Sequence, residues 1–263
     1  AIGYNMLAAF NLQSTFKVFS FYGDRTPAII GAILAVLFGA VVIGGAHRLV
    51  KVTGVLVPVM GIVYVAISLI VLVLNIGNIP AMFAGIFKNA FDFQAIFGGF
   101  AGSCIMFGIK RGLYSNEAGM GSAPNAAATA DVSHPAKQGL VQMLSVFIDT
   151  MLICTATAFM CLSTNIIPQN YLAADGSADA AGYVQAATAS TLGKFGPIFI
   201  AFAMCLFAFT TLIGNYSYCE GCIRFIIQRD IKPGELLAFR LFATALVFVG
   251  SIASAGLVWN TAD

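Results

Sequence analysis

Apolar residues run along this chain in seven long stretches, near residues 1–20, 27–46, 53–76, 95–109, 138–163, 197–219 and 236–258. Charged residues fall almost wholly between these stretches rather than along one face of each. Residues 52–87 and 197–219 hold no Asp, Glu, Lys or Arg. A helix in water keeps a charged stripe on its outer face, whereas a helix spanning a bilayer needs roughly 20 apolar residues. The pattern predicts an all-α integral membrane protein of about seven transmembrane helices, held in the lipid bilayer. Seven such helices form one bundle, so residues 1–263 read as a single transmembrane domain. The rare polar residues within the stretches are where function is to be sought.

Shorter elements are predicted between the spans. Pro80 followed by the amphipathic run Ala81–Ala90 reads as an interfacial helix. Residues Gly182 to Leu192 read as a short surface helix in the large loop 164–196, and Pro197 opens the sixth span, where a first-turn proline loses no intrahelical bond. Pro58 inside the third stretch predicts a kink. Ser115, Asn116 and Glu117 are suited to capping a short helix.

Composition sharpens the picture in three ways. Hydrophobic residues make up 59% of the chain and charged residues 9%, against about 25% charged in soluble domains. The net charge of +2 is too small for nucleic-acid binding. Cys104, Cys154, Cys161, Cys205, Cys219 and Cys222 lie in or beside apolar stretches, where free cysteine acts as a small buried hydrophobe. The spacing Cys219-x-x-Cys222 would suit a metal, but no second pair or histidine cluster accompanies it. The chain begins inside an apolar stretch and stops just after one, which is expected of a piece truncated at both ends.

Positive charge alternates from loop to loop. Arg48 and Lys51, then Lys110, Arg111 and Lys137, then Arg224, Arg229, Lys232 and Arg240 mark three rich regions, while the other three loops hold Arg25, Lys88 and Lys194. The positive-inside rule places the rich regions in the cytoplasm. The first stretch then runs outward, and the seventh ends outside.

Polar and glycine positions within the spans supply candidate chemistry. The fourth stretch carries Gly98, Gly99 and Gly102 at its middle. Each glycine costs a helix interior about 1 kcal/mol, so the segment is suited either to unwinding around a cavity or to close helix packing. In the sixth stretch Thr210 and Thr211 precede Asn215. Thr211 and Asn215 are four apart and share a helix face. Hydroxyl oxygens suit Na⁺ and an Asn side chain can hydrogen-bond a zwitterion, although Thr hydroxyls also bond back to the preceding turn. Asn11 and Gln13 in the first stretch need partners in hydrocarbon. Asp149 is the sharpest anomaly, because an intramembrane carboxylate faces either a cavity or a neighbouring helix. Glu220 is placed to pair with Arg224. Ser122 and His134 resemble a nucleophile and base only by co-occurrence, with no oxyanion site or orienting acid.

The run from Gly112 to Ala127, GLYSNEAGMGSAPNAA, is followed by His134-Pro135, Gln138-Gly139 and Phe147-Ile148-Asp149-Thr150. Together with FAFTT-x-x-G-N-Y at residues 207–216, these closely resemble the alanine or glycine:cation symporters (AGCS), over essentially the whole chain. The resemblance implies a sodium-coupled secondary transporter, not an enzyme, importing a small neutral amino acid. It implies a multi-pass protein of the bacterial plasma (inner) membrane, monomeric when full length. It implies the LeuT-like inverted-repeat bundle, of which this chain would supply core helices 3 to 9. Gln13 then matches a glutamine near the substrate, Gly98, Gly99 and Gly102 the broken core helix 6, and Thr210 and Thr211 the hydroxyl pair of a sodium site. Asn215 stands where some relatives carry Trp, so the pocket is expected to accept a larger or more polar side chain than alanine, such as glutamine. The rival class is a channel or membrane-embedded structural subunit.

Overall fold

The computed structural model describes residues 2–44, 46–90, 112, 117, 119, 121–164, 166, 168–171, 179–229, 231–253 and 256–258. Among these the regular backbone is helical, with no strand. The α-helices are α1 (Ile2–Ser14), α2 (Thr26–Ile43), α3 (Ala46–Leu74), α4 (Ile79–Ala90), α5 (Ser122–Ala127), α6 (Pro135–Phe147), α7 (Thr155–Leu162), α8 (Ala180–Leu192), α9 (Phe195–Ile227) and α10 (Pro233–Ile252). A π-helical segment, Ile148–Cys154, joins α6 to α7 without a break.

Five helices among the described residues are long and apolar enough to cross a membrane: Thr26–Ile43, Thr53–Leu74, Pro135–Leu162, Phe195–Ile227 and Pro233–Ile252. They match five of the seven apolar stretches. The stretch 95–109 lies outside the described residues. The first stretch differs from expectation, for its α-helix ends at Ser14 and tightens into the 3₁₀ turn Thr15–Val18. The cause is local. The Ser14 and Thr15 hydroxyls donate back to the Asn11 carbonyl at 2.9 and 2.8 Å, and such back-bonding competes with helix continuation.

The chain divides into two compact units, residues 1–63 with 167–263, and residues 64–166. In the first unit α1, α2, α9 and α10 pack around a shared core that includes Leu12, Phe38, Leu212, Ile213, Tyr216 and Val247. Small residues permit close approach, as is usual where helices meet in lipid. A Cβ on Gly250 of α10 would overlap the Met6 backbone of α1, and one on Gly196 of α9 would overlap the Thr188 backbone of α8. The segment read as a surface helix is α8, and it is not a surface element. Gln185, Ala187 and Thr188 are buried, and α8 packs along α9. Apart from Gln185 its buried face is made of small residues, which an exposed helix would show equally, so sequence alone could not tell the two apart.

In the second unit the Tyr64 and Thr157 hydroxyls share a hydrogen bond of 2.7 Å, joining α3 to α7. Phe83 of α4 meets Phe159 edge-on at 5.6 Å. The Asn78 amide donates to the Ser163 carbonyl at 2.9 Å. The last two contacts hold the amphipathic α4, which begins as expected at Ile79-Pro80, against the end of α7. Pro58 lies within the unbroken α3.

Candidate functional site

The motif of α9 divides cleanly between two faces. Leu212, Ile213 and Tyr216 are buried in the core of the first unit. Thr211 is exposed and Asn215 half-buried. A Cβ on Gly214, between them, would meet nothing within 4 Å. One α-helical face thus presents a hydroxyl, a bare backbone step and a carboxamide beside open space. The Thr210 hydroxyl donates to the carbonyls of Leu206 and Phe207, both at 3.0 Å. This is the back-bonding alternative weighed for these threonines. It leaves the two oxygen lone pairs available, because only the hydrogen is engaged. A donating threonine can therefore still ligate a cation.

Gln13 lies on α1, only 3% exposed. Its side-chain Oε1 accepts a hydrogen bond from the Tyr22 hydroxyl. This partner belongs to the connection between α1 and α2. Burial pushes the Tyr22 phenol above its ordinary value, so it remains a protonated donor at neutral pH. With Oε1 fixed, the Gln13 amide presents its N–H groups, which suit a carboxylate. Among the described residues α1 and α9 pack on each other, but no hydrogen bond joins Gln13 to Thr210, Thr211 or Asn215. Gly98, Gly99 and Gly102 lie outside the described residues, as do Ser115 and Asn116.

Next to Asn215, Tyr216 anchors α9. It is 2% exposed, stacks on Phe239 at 5.5 Å and meets Phe38 edge-on at 6.0 Å. Its hydroxyl donates to Glu220 Oε2 at 2.6 Å and accepts from Arg240 Nε at 3.3 Å. Arg224 pairs with Glu220 at 2.6 Å, as the i,i+4 spacing predicts. Arg240 also reaches the Ile43 carbonyl at the end of α2, at 3.5 Å. The network joins α2, α9 and α10 and compensates the one carboxylate at this end of α9. An apolar cavity of about 220 Å³ lies beside it, lined in part by Asn5, Tyr216, Cys219, Phe239 and Leu246. Gln13, Thr210, Thr211 and Asn215 are not among its walls.

Two further observations were not legible in the sequence. Gln185 of α8, 1% exposed, donates to the Thr15 carbonyl at 2.9 Å and the Pro197 carbonyl at 3.3 Å. It thereby ties α8 to the ends of α1 and α9. Asp149 falls within the π segment, with Cys154 Sγ 4.0 Å from its Oδ2. His134 caps α6, its Nδ1 accepting from the Ala136 N–H at 3.1 Å. That gives it a part in starting a helix rather than in a nucleophile–base pair. Among the described residues no group of three or more His, Cys, Asp or Glu comes together, and Cys219 and Cys222 are in no disulfide.

Comparison with known proteins gives these features a setting. The sodium:alanine symporter family matches the chain over residues 1–263. The "Amino-acid carrier protein AlsT" of Bacillus subtilis is 45% identical over 89% of this chain and 48% of its own length. The "Probable sodium/glutamine symporter GlnT" of the same organism is 39% identical over 89% of this chain and 47% of its own. The "Sodium/proton-dependent alanine carrier protein" of Bacillus sp. strain PS3 is 37% identical, covering 89% and 55%. The chain spans about half the length of these curated relatives.

Proposed function

The chain belongs to the sodium:alanine symporter family, and from that membership we propose that it forms part of a secondary transporter carrying a small neutral amino acid into the cell together with Na⁺. The family is one of multi-pass transporters of the plasma (inner) membrane, not of enzymes. The fold is the LeuT-like inverted-repeat bundle, with this chain as core helices 3 to 9 of a longer protein that acts as a monomer. Residues 1–263 work as one domain with cytoplasmic ends at the Lys/Arg-rich loops.

Na⁺ binds the oxygens of Thr210 and Thr211, and the amino acid lies on the Thr211–Asn215 face of α9. The Gln13 amide, oriented by Tyr22, faces the substrate's carboxylate. The match over 1–263 carries this reading, and the open face at Gly214 supports the placement. Alternating access follows if Na⁺ stabilises the substrate-ready state. Linkage then requires Na⁺ and substrate to tighten each other's binding by the same factor.

Alanine and glycine are the first-choice substrates. Glutamine is the second reading, because Asn215 offers a polar contact in place of a bulky ring, and one relative is named for glutamine. The name of another keeps H⁺ beside Na⁺ as a coupling ion. Competition by alanine, glycine and glutamine against labelled alanine, in proteoliposomes with the full-length protein, separates these substrates. Thr211→Ala is expected to raise the half-saturating Na⁺ concentration with little change in substrate ranking. Asn215→Trp is expected to shift the ranking toward alanine and glycine. Equal movement of one parameter by both variants would contradict the division of roles. Absence of competition by any amino acid would favour a channel.

A further inference from the structure

The apolar cavity of about 220 Å³ beside Tyr216 is walled by α1, α9 and α10, all within the first unit. Its floor is deep and its rim is open. Asn5, Tyr216 and Ala243 are 5%, 2% and 7% exposed, whereas Phe242 on the same wall is 53% exposed and Cys222 is exposed too. No charged residue is among the walls. The Oδ1 of Asn5 is buried and has no hydrogen-bond partner among the described residues. An amide oxygen left unpaired in apolar surroundings is costly, and each such group in a folded protein calls for an explanation.

The wall limits what can fill the cavity. A buried water needs about two to four polar partners. This wall offers the Asn5 carboxamide alone, because the Tyr216 hydroxyl is already engaged by Glu220 and Arg240. Acyl chains of lipid would fill the volume and leave Oδ1 unpaired, since they carry no donor. A charged side chain would meet no counter-charge there. What fits is an apolar body ending in a single O–H or N–H. Tyr and Trp side chains have that form, and they pair the polar tip when buried. The last torsion of a carboxamide is soft, so Oδ1 can turn toward such a donor. The chain spans about half the length of its curated relatives, so the longer protein proposed above has further side chains to seat here.

We infer that a Tyr or Trp from outside residues 1–263 of the full-length protein sits in this cavity and donates its O–H or N–H to Asn5 Oδ1. The inference rests on the reading of this chain as part of a longer protein. Asn5 then acts as a polar pin between α1 and the remainder of the bundle, the kind of interhelical hydrogen bond that holds helices together in lipid.

The test uses the full-length protein in its membrane, with Phe242→p-benzoylphenylalanine as a photo-crosslinker at the rim. Irradiation is expected to join position 242 to a peptide from outside residues 1–263 of the same molecule, identified by mass spectrometry. Adducts only with lipid, only with a second copy of the protein, or only within residues 1–263 would each overturn the inference. If that variant fails to reach the membrane, Ile223→p-benzoylphenylalanine on the same wall takes its place. A second measurement reads the hydrogen bond itself. Asn5→Leu is expected to lower the midpoint of thermal unfolding in detergent, because it leaves the occupant's buried donor unpaired. A midpoint that stays or rises would overturn the inference, since replacing an unpaired carboxamide by an apolar group of similar size is neutral or stabilising. A mature protein no longer than these 263 residues would instead reject the longer-protein reading, so the two failures are distinguishable.

Discussion

Tyr22 controls Gln13 through one hydrogen bond, and that bond shows what a sequence does and does not reveal at the scale of a residue. Gln13 was legible because an amide inside an apolar stretch demands a partner. Its partner was not, because Tyr22 follows in an irregular connection where no periodicity fixes which side chain turns back. Thr211 and Asn215 were legible as a helix face, while the open step at Gly214 needed the fold. Tyr22→Phe is expected to free the Gln13 amide and raise the KM for alanine severalfold without moving half-saturating Na⁺. Uptake kinetics at saturating Na⁺ check this. The raised Tyr22 pKa gives a signed pH effect. A group that holds its proton more tightly when folded contributes fully below its unfolded value of 10.0 and loses that contribution as pH rises through the folded value. Stability measured from pH 6 to pH 8 should therefore not change through Tyr22, and only alkaline titration should differ between Tyr22→Phe and the unaltered protein.

Among elements, the uncharged runs announced the long spans because hydrocarbon excludes charge. Boundaries and faces were harder. The first helix closes at Ser14 through hydroxyls bonding back to Asn11, a choice that composition leaves open. The π segment has no sequence signature, since Ile148–Cys154 reads as ordinary apolar helix around Asp149. The burial of α8 depends on Gln185 meeting carbonyls of two other segments, which only the tertiary fold brings together. Helix contact in the first unit turns on glycine at close approaches. Gly250→Ala places a Cβ against the Met6 backbone, and overpacking of this kind costs about 1–3 kcal/mol. Gly221 has open space instead, so Gly221→Ala should be neutral or stabilising by up to about 1 kcal/mol through helix propensity. Thermal unfolding in detergent should show a lower midpoint for the first and none for the second.

The whole molecule joins these parts into one physical account. Charge kept out of the spans places the chain in lipid, and the family match places it among transporters. The motif around residues 112–127 made the family legible from sequence, whereas the arrangement of Gly98, Gly99 and Gly102 lies outside the described residues. In the proposed symport an inward Na⁺ gradient does work on a small neutral amino acid. Its most direct test is accumulation of labelled alanine by proteoliposomes holding the full-length protein, with Na⁺ outside, equal pH on both sides and no other gradient. Symport predicts transient accumulation above the external concentration, abolished when an ionophore equalises Na⁺. Uptake that only equilibrates alanine, at a rate independent of the Na⁺ gradient, would contradict it.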